Sequence, residues 1–387
     1  MSGAPARVTA QGDGNPLTGI GRDIPLPLPV PDWSKPIILV LLLLAIWFAV
    51  RSRLAVRRAR RLEGQRVTLV RDVASMQAAL VPEVPAQLGG LALSVAYRPA
   101  EGPAAGGDFY DVVAVEPGRV AIMLGDVSGH GRAALKQAAL TRYTLRAYVQ
   151  TGLDPRAALA LAGRILEDDG DEQYATVALA LYDARAGTLT YSLAGHPPPI
   201  LLGADAPEPL TICSSPPIGV GLATGRRQTT LSLPTGSGAC FYSDGLIEAR
   251  CDDGLLGAAG LREILAGLGF TPDADALLDR VSAAADTGRD DMATCILSAR
   301  SGAAGARVHV EELELDADAL RRAPVALFLQ ECRLPAADIP STIELAGAIA
   351  ASYGSALLRV EREPMGVSAT VLAPEAAAAR AMPAGIG

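Results

Sequence analysis

Lysine is nearly missing from this chain. Of its 34 basic residues only Lys35 and Lys136 are lysines, and 42 acidic residues leave a net charge of −8 at pH 7. That balance argues against nucleic acid as the main partner. Histidine is equally sparse, at His130, His196 and His309. The five cysteines, Cys213, Cys240, Cys251, Cys295 and Cys332, are scattered, with no CxxC pair and no metal-ligand spacing. An odd number of dispersed cysteines fits reduced, mostly buried thiols in the cytosol. No Ser/His/Asp or Cys/His signature is present either, so nothing points to a side-chain nucleophile. What the chain does have is length and apolar mass: 387 residues, half of them hydrophobic, enough for two or three domains.

The N-terminal part is organised around one apolar run. Residues 1–32 are rich in Gly and Pro, and IPLPLPVP (24–31) forbids a helix, so this segment is expected to be disordered. PIILVLLLLAIWFAV (36–50) follows without a charge. As a helix it is ~22 Å long against a hydrocarbon core of ~30 Å, and Trp33 and Lys35 can extend it at the interface. A signal peptide carries its positive charge before the apolar run; here Arg51, Arg53, Arg57, Arg58, Arg60 and Arg61 come after it. The expectation is a single transmembrane helix over 33–50 with its C-terminal side cytoplasmic. Residues 51–80 are expected to form a juxtamembrane helix. Leu62, Leu69, Val73, Met76 and Leu80 share one face of it, either packed on the next domain or forming a parallel coiled coil that makes a homodimer.

From residue 91 the pattern changes. LALSVAYR (91–98), FYDVVAV (109–115), RVAIMLGDV (119–127), YATVALALYD (174–183), AGTLTYSLAG (186–195), PPILLG (198–203), RQTTLSLP (227–234), GACFYSDG (238–245) and MATCILSAR (292–300) predict strands. Helices are expected over 132–150, 154–168, 257–267 and 273–285, the second capped by Asp154 with Pro155 in its first turn. Runs of strands with helices grouped between them indicate an α+β domain built as a sheet sandwich flanked by helices. GAAGA (302–306) reads as a linker to a β-α-α-β-β module over 307–373, ahead of a loose tail over 374–387.

Four strings place aspartates beside turn-formers at strand ends: AGGDFYD (105–111), GDVSGHG (125–131), YSDGLIEAR (242–250) and GRDDMAT (288–294). If those ends converge, four or five carboxylates share one cleft, and they repel one another unless cations neutralise them. Hard divalent ions take all-oxygen ligands, which favours Mg²⁺ or Mn²⁺ over Zn²⁺. Two ions sharing an aspartate would lower the pKa of a bound water and clamp a phosphoryl group, without a nucleophilic side chain.

The strings, in this order and separation, resemble the metal-dependent protein phosphatase (PPM) family. The nearest branch is the bacterial one that holds the sporulation stage II E phosphatase and stress-response sigma-factor regulators. LAGHPPPILL (193–202) and SPPIGVG (215–221) add to the likeness, which runs from MQAALVPEVP (76–85) to ILSAR (296–300). The resemblance implies a four-layer α-β-β-α sandwich over 81–301, two ions of Mn²⁺ or Mg²⁺, and hydrolysis of phosphoserine or phosphothreonine. Its expected substrate is a phosphorylated STAS-domain anti-sigma-factor antagonist. Matched position by position, Asp126 is the bridging ligand, Val127 offers its backbone carbonyl, and Asp244 is a ligand of the second ion. Asp290 is the last ligand, with Asp291 the alternative register, and Asp108 holds metal-bound water. Asp111 is assigned either to the acidic set or to a turn. His130 admits two roles, general acid or turn residue. His196 is expected to fix a loop, and Arg98 either touches phosphate or ends a strand at the surface. His309 lies outside the domain.

The segment 320–355 resembles the histidine-kinase-like ATPase domains of anti-sigma factors. Its helix ELAGAIAASYG lacks the Asn that holds Mg²⁺ there, and no DxGxG loop follows, so nucleotide binding is expected to be lost. Two other readings compete with the phosphatase. One is a membrane-tethered phosphoprotein-binding module with an inactive site. The other is a nucleotide cyclase suggested by GGDFYD, which has Phe109 where that chemistry needs an acid.

Overall fold

The computed structural model describes residues 32–34, 36–54, 81–99, 107–167, 173–203, 214–251, 254–269, 272–285, 290–300, 308–322, 325–363 and 366–374. The chain divides into two units, Met1–Arg71 and Asp72–Gly387. In the first, a 3-10 turn at Asp32–Ser34 precedes α1, Pro36–Leu54. Helix α1 has 19 residues, is apolar and is not buried against the rest of the chain, so it is long and apolar enough to cross a membrane. It starts three residues later than expected and runs past Val50 through Arg51 and Arg53 to Leu54. Arginine sustains a helix well, and the Arg51 guanidinium lies 5.2 Å from the centre of the Trp47 ring. The Pro-rich stretch 24–31 and the stripe Leu62, Leu69, Val73, Met76 and Leu80 lie outside the described residues.

The second unit is built on two sheets. Strands β1 (Gln87–Leu88), β2 (Leu91–Arg98), β3 (Phe109–Glu116) and β4 (Arg119–Val127) lead into helices α2 (Arg132–Gln150) and α3 (Pro155–Glu167). Then come β5 (Ala175–Asp183), β6 (Thr188–Ala194), β7 (Ile200–Leu202), β8 (Ser214–Ser215), β9 (Arg227–Ser232) and β10 (Gly238–Tyr242). The short elements α4 (Asp244–Ile247), β11 (Arg250–Cys251) and β12 (Gly254–Leu255) precede α5 (Gly257–Gly267), α6 (Ala274–Ala284) and β13 (Met292–Ala299). One sheet has the order β1-β2-β13-β10-β7, and nearly all pairings in the unit are antiparallel.

Strand β4 shows how the layers arise. Its alternate residues Val120, Ile122 and Leu124 point between the sheets, where they meet Tyr182, Tyr191, Phe241 and Leu297. Ala121 and Met123 point the other way and pack with Leu145 and Leu159 of the α2–α3 layer. A strand buried on both faces reads as an unbroken apolar run, which is why VAIML carries no alternation. On the far side of the smaller sheet, Cys240, Tyr242 and Ile296 pack against Leu261 of α5 and Leu277 of α6. The result is the four-layer α-β-β-α sandwich. Burial pushes the Cys240 and Cys295 thiols up to about 12, so neither is a nucleophile near neutral pH.

After the segment 301–307, β14 (His309–Asp316) is followed by α7 (Ala317–Arg322), α8 (Val325–Glu331), α9 (Ile339–Tyr353), β15 (Ser355–Glu363) and β16 (Gly366–Leu372). Three helices stand where two were expected, because Asp316 caps an extra turn at α7 by accepting from the Asp318 and Ala319 amides. These strands extend the larger sheet: its order is β16-β15-β14-β9-β6-β5-β4-β3, and β14 pairs with β9 from His309↔Leu231 to Leu313↔Arg227. Ion pairs Arg226–Asp316 and Arg156–Glu314 and the hydrogen bond from the Thr229 hydroxyl to Glu311 (2.7 Å) cross the same seam. His309, without a role in the sequence, sits 2.7 Å from the buried Glu311 carboxylate.

Candidate active site

Strand register brings the four aspartate strings to one end of the sandwich. Phe109 faces Gly125 across β3 and β4, which places Asp108 beside Asp126 and Val127. Tyr242 faces Thr294 across β10 and β13, which places Asp244 beside Asp290 and Asp291. The two sheets stack, and the groups interact. Burial, then the charges of Asp126 and Asp291, hold the Asp108 carboxyl well above the usual range, partly offset by the Ser243 hydroxyl. Burial, then Asp244, Asp290 and Asp291, raise Asp126 to about 7. Asp244 is raised by burial and by Asp290.

Two glycines make this convergence sterically feasible. A Cβ on Gly107 would stand 2.1 Å from the Val127 carbonyl oxygen, and one on Gly245 would stand 2.0 Å from that of Asp291. Both contacts are to backbone, which cannot step aside cheaply. Gly107→Ala is therefore expected to shift the strand ends that carry Asp108 and Asp126. Thermal unfolding should show a loss on the order of 1–3 kcal/mol. An unchanged melting temperature would show that the strand ends can relax.

Asp244 departs from the strand expected over 238–245. Strand β10 stops at Tyr242, and Asp244 opens helix α4, where an acid suits the helix N-terminus. Ser243 is tied to β13 instead of capping: its hydroxyl oxygen accepts from the Ala293 amide at 2.9 Å. Asp290 is exposed and accepts from the Asp291 amide at 2.9 Å; Asp291 is 2% exposed and accepts from the Tyr97 hydroxyl. Tyr97 and Ser243 were not singled out in the sequence. Ser243 stood within a recognised string; Tyr97 reaches the site only because β2 pairs with β13 at Ala293↔Tyr97.

The remaining candidates lie outside the acidic cluster. Asp111 is buried under α2 and accepts from Arg142 (3.0 Å) and Arg146 (2.9 Å), which fastens that helix to β3. Arg98 donates to the Ser282 hydroxyl (2.7 Å) and Asp279 (2.8 Å) on α6. His196 is buried with Nε2 3.1 Å from the Tyr242 carbonyl and Nδ1 3.0 Å from the Thr176 hydroxyl. A carbonyl only accepts, so Nε2 carries the proton and Nδ1 accepts. Burial holds this imidazole down at about 4, so it ties the loop to β10 and β5 as a neutral ring. His130 is exposed in the β4–α2 loop, between Gly129 (φ 90°) and Gly131 (φ 82°).

The donor chemistry fits hard divalent cations. Five carboxylates share the site, and Asp108 Oδ2 is buried with no hydrogen-bond partner among the described residues. Among the described residues no three His, Cys, Asp or Glu side chains already stand in ligating positions around one point.

Comparison with known proteins agrees with this architecture. The family described as Stage II sporulation protein E (SpoIIE) matches residues 116–300, which include Asp126, Asp244, Asp290 and Asp291 but not Asp108. The phosphoserine phosphatase RsbU of Bacillus subtilis (strain 168) is 24% identical over 161 residues, 41% of this chain. The match spans 48% of RsbU, about half its length. The SiaA-PP2C domain of Pseudomonas aeruginosa is 20% identical, covers 62% of this chain and 98% of that one, and superposes with a TM-score of 0.51. The RsbU and RsbW domains of Rv1364c from Mycobacterium tuberculosis are 24% identical over 74% of this chain and 86% of that one, with a TM-score of 0.49. The four layers, the acidic cleft at one end and the family match together mark residues 116–300 as a SpoIIE-type PP2C/PPM phosphatase domain.

Proposed function

We propose that this chain is a membrane-anchored protein serine/threonine phosphatase acting on a regulatory phosphoprotein in sigma-factor control. The substrate in this reading is a phosphorylated STAS-domain anti-sigma-factor antagonist. The observation that carries it is the gathering of Asp108, Asp126, Asp244, Asp290 and Asp291 at one end of the sandwich. Asp126, which senses Asp108 on one side and Asp244 and Asp290 on the other, would hold the metal ions. The Val127 carbonyl, Asp244 and Asp290 would complete the ligands, with Asp291 as the alternative to Asp290, and Asp108 would order water. When bound, two Mn²⁺ or Mg²⁺ ions supply the charge that activates water and stabilises the phosphoryl group in transfer. The chain's own part is positional. Tyr97 orients Asp291, Ser243 steadies Asp108, and the close approaches of Gly107 to Val127 and of Gly245 to Asp291 hold neighbouring strand ends together within each sheet. Helix α1 serves as the anchor, with the catalytic unit in the cytoplasm beside its substrate, and the segment 51–80 as the dimerising linker.

The test is phosphate release by residues 54–387 with and without Mn²⁺, on an aryl phosphate and on a phosphorylated STAS protein. Turnover of both that stops on chelation is expected. Bound metal with no turnover of either would overturn the reading and favour a phosphoprotein-binding module.

A further inference from the structure

The loop carrying SPPIGVG has more structure than a connection requires. Ile218 exchanges two backbone hydrogen bonds with Ala175, both 2.9 Å, so the loop lies along the first residue of β5. Its ends are closed by the Thr224 hydroxyl donating to the Pro216 carbonyl (2.6 Å) and the Arg226 amide donating to the Ser215 hydroxyl (3.1 Å). Gly219 (φ 91°) sits so close to the neighbouring chain that a Cβ would stand 2.8 Å from the Gln173 carbonyl oxygen and 3.4 Å from the Tyr174 Cα. This tight, closed loop holds two apolar side chains out to solvent: Val220 is 39% exposed and Leu222 51%. Tyr174, whose backbone lies against Gly219, is 45% exposed. Single exposed apolar residues are ordinary, but two held out by a closed loop, with a third exposed on the chain that loop packs against, mark a contact surface.

Their position says what the contact is. Tyr174 exchanges hydrogen bonds with Ser128, two residues beyond Asp126: the Ser128 amide donates to the Tyr174 carbonyl (2.8 Å) and the Tyr174 amide to the Ser128 hydroxyl (3.0 Å). Across β4 and β5, Asp126 faces Thr176 and Val127 faces Ala175. The apolar residues therefore border the sheet end to which a phosphate ester must come. Arg98, the cation the sequence offered for that phosphate, is tied to α6. Affinity for a protein substrate needs other contacts, and a rigid apolar rim supplies them with little ordering cost.

We propose that Tyr174, Val220 and Leu222 form the docking rim for the folded phosphoprotein substrate, which meets them with apolar residues flanking its phosphoserine. This rests on the phosphatase reading above. A small aryl phosphate has no surface to reach the rim, so the rim acts on protein substrates alone. Binding energy made away from the reacting atoms, if equal in the ground and transition states, appears in KM.

The test uses the full-length protein in detergent micelles carrying Val220→Asp and Leu222→Asp together. The probes are the phosphorylated STAS protein and an aryl phosphate. KM for the phosphoprotein is expected to rise at least about tenfold, with kcat and aryl phosphate turnover within about twofold. Leu222→Ser, a milder change, should move KM in the same direction. An unchanged phosphoprotein KM, or aryl phosphate turnover that falls in step in both variants, would overturn the rim. Binding of the phosphoprotein in an Asp126→Asn background decides docking without turnover. A wild-type protein that hydrolyses neither probe would fail the phosphatase reading, and the rim would still stand or fall on whether Val220→Asp with Leu222→Asp weakens that binding.

Discussion

Asp126→Asn is expected to make the metal-free protein more stable at pH 8 while stopping phosphate release. Burial and the charges of Asp244, Asp290 and Asp291 raise this carboxyl from 3.8 to about 7. A raised acid pKa means the folded state holds a proton that the unfolded chain has released. The stabilisation is fully present below about pH 4 and is lost as pH rises through about 7. The span from 3.8 to about 7 corresponds to on the order of 4 kcal/mol against the ionised group at pH 8. Asparagine has nearly the same shape and no charge, so it removes the larger part of that penalty. With chelator present, the melting temperature of the wild type should fall between pH 5 and 8, and that of the variant should fall less. At pH 8 the variant should melt several degrees higher. Added Mn²⁺ should reverse the order, because only the wild type has the full set of carboxylates to bind it. Activity should drop at least about a hundredfold, the scale on which a group aimed at transition-state charge is felt. A variant no more stable than wild type at pH 8 in chelator would remove the carboxylate cluster as a centre of repulsion.

Truncation at residue 300 is expected to damage the catalytic unit itself. Strand β14 covers the edge of β9 over five residue pairs, from His309↔Leu231 to Leu313↔Arg227. Losing that ladder costs several kcal/mol at about 1 kcal/mol net per hydrogen bond. It also strips Arg226 and Arg156 of their carboxylate partners and Thr229 of Glu311. The exposed β9, RQTTLS, becomes an edge open to pairing with other chains. The truncated protein should aggregate or melt at least about 10 °C lower, whereas ending the chain at 374 should change little. Arg226→Ala, which breaks one partly exposed ion pair, should cost only about 0.5–1 kcal/mol. A stable, monomeric 81–300 fragment would show that the two parts fold separately.

Much of this protein was legible before any fold was known, for reasons of local chemistry. The strands 91–98 and 119–127 and the helices 132–150 and 257–267 appear with those bounds, because apolar periodicity and the turn residues at their ends act over a few neighbours. The four strings with Asp108, Asp126, Asp244 and Asp290 stood out because acids beside glycine at the ends of apolar strands are costly unless something uses them. Where a residue's role depends on contacts distant in sequence, the chain alone is silent. Asp111 looked like the other aspartates, and only the packing of α2 on β3 set Arg142 and Arg146 over it. Arg98 looked free, and only α6 ties it down. Tyr97 entered the site through a strand pairing with a partner nearly two hundred residues away. The segment after 307 looked like a module of its own, since nothing in its composition says which edge its first strand will seek. Register and edge pairing are decided by the whole sheet, and they alone carried β14 to β9 and brought five carboxylates to one end of the sandwich.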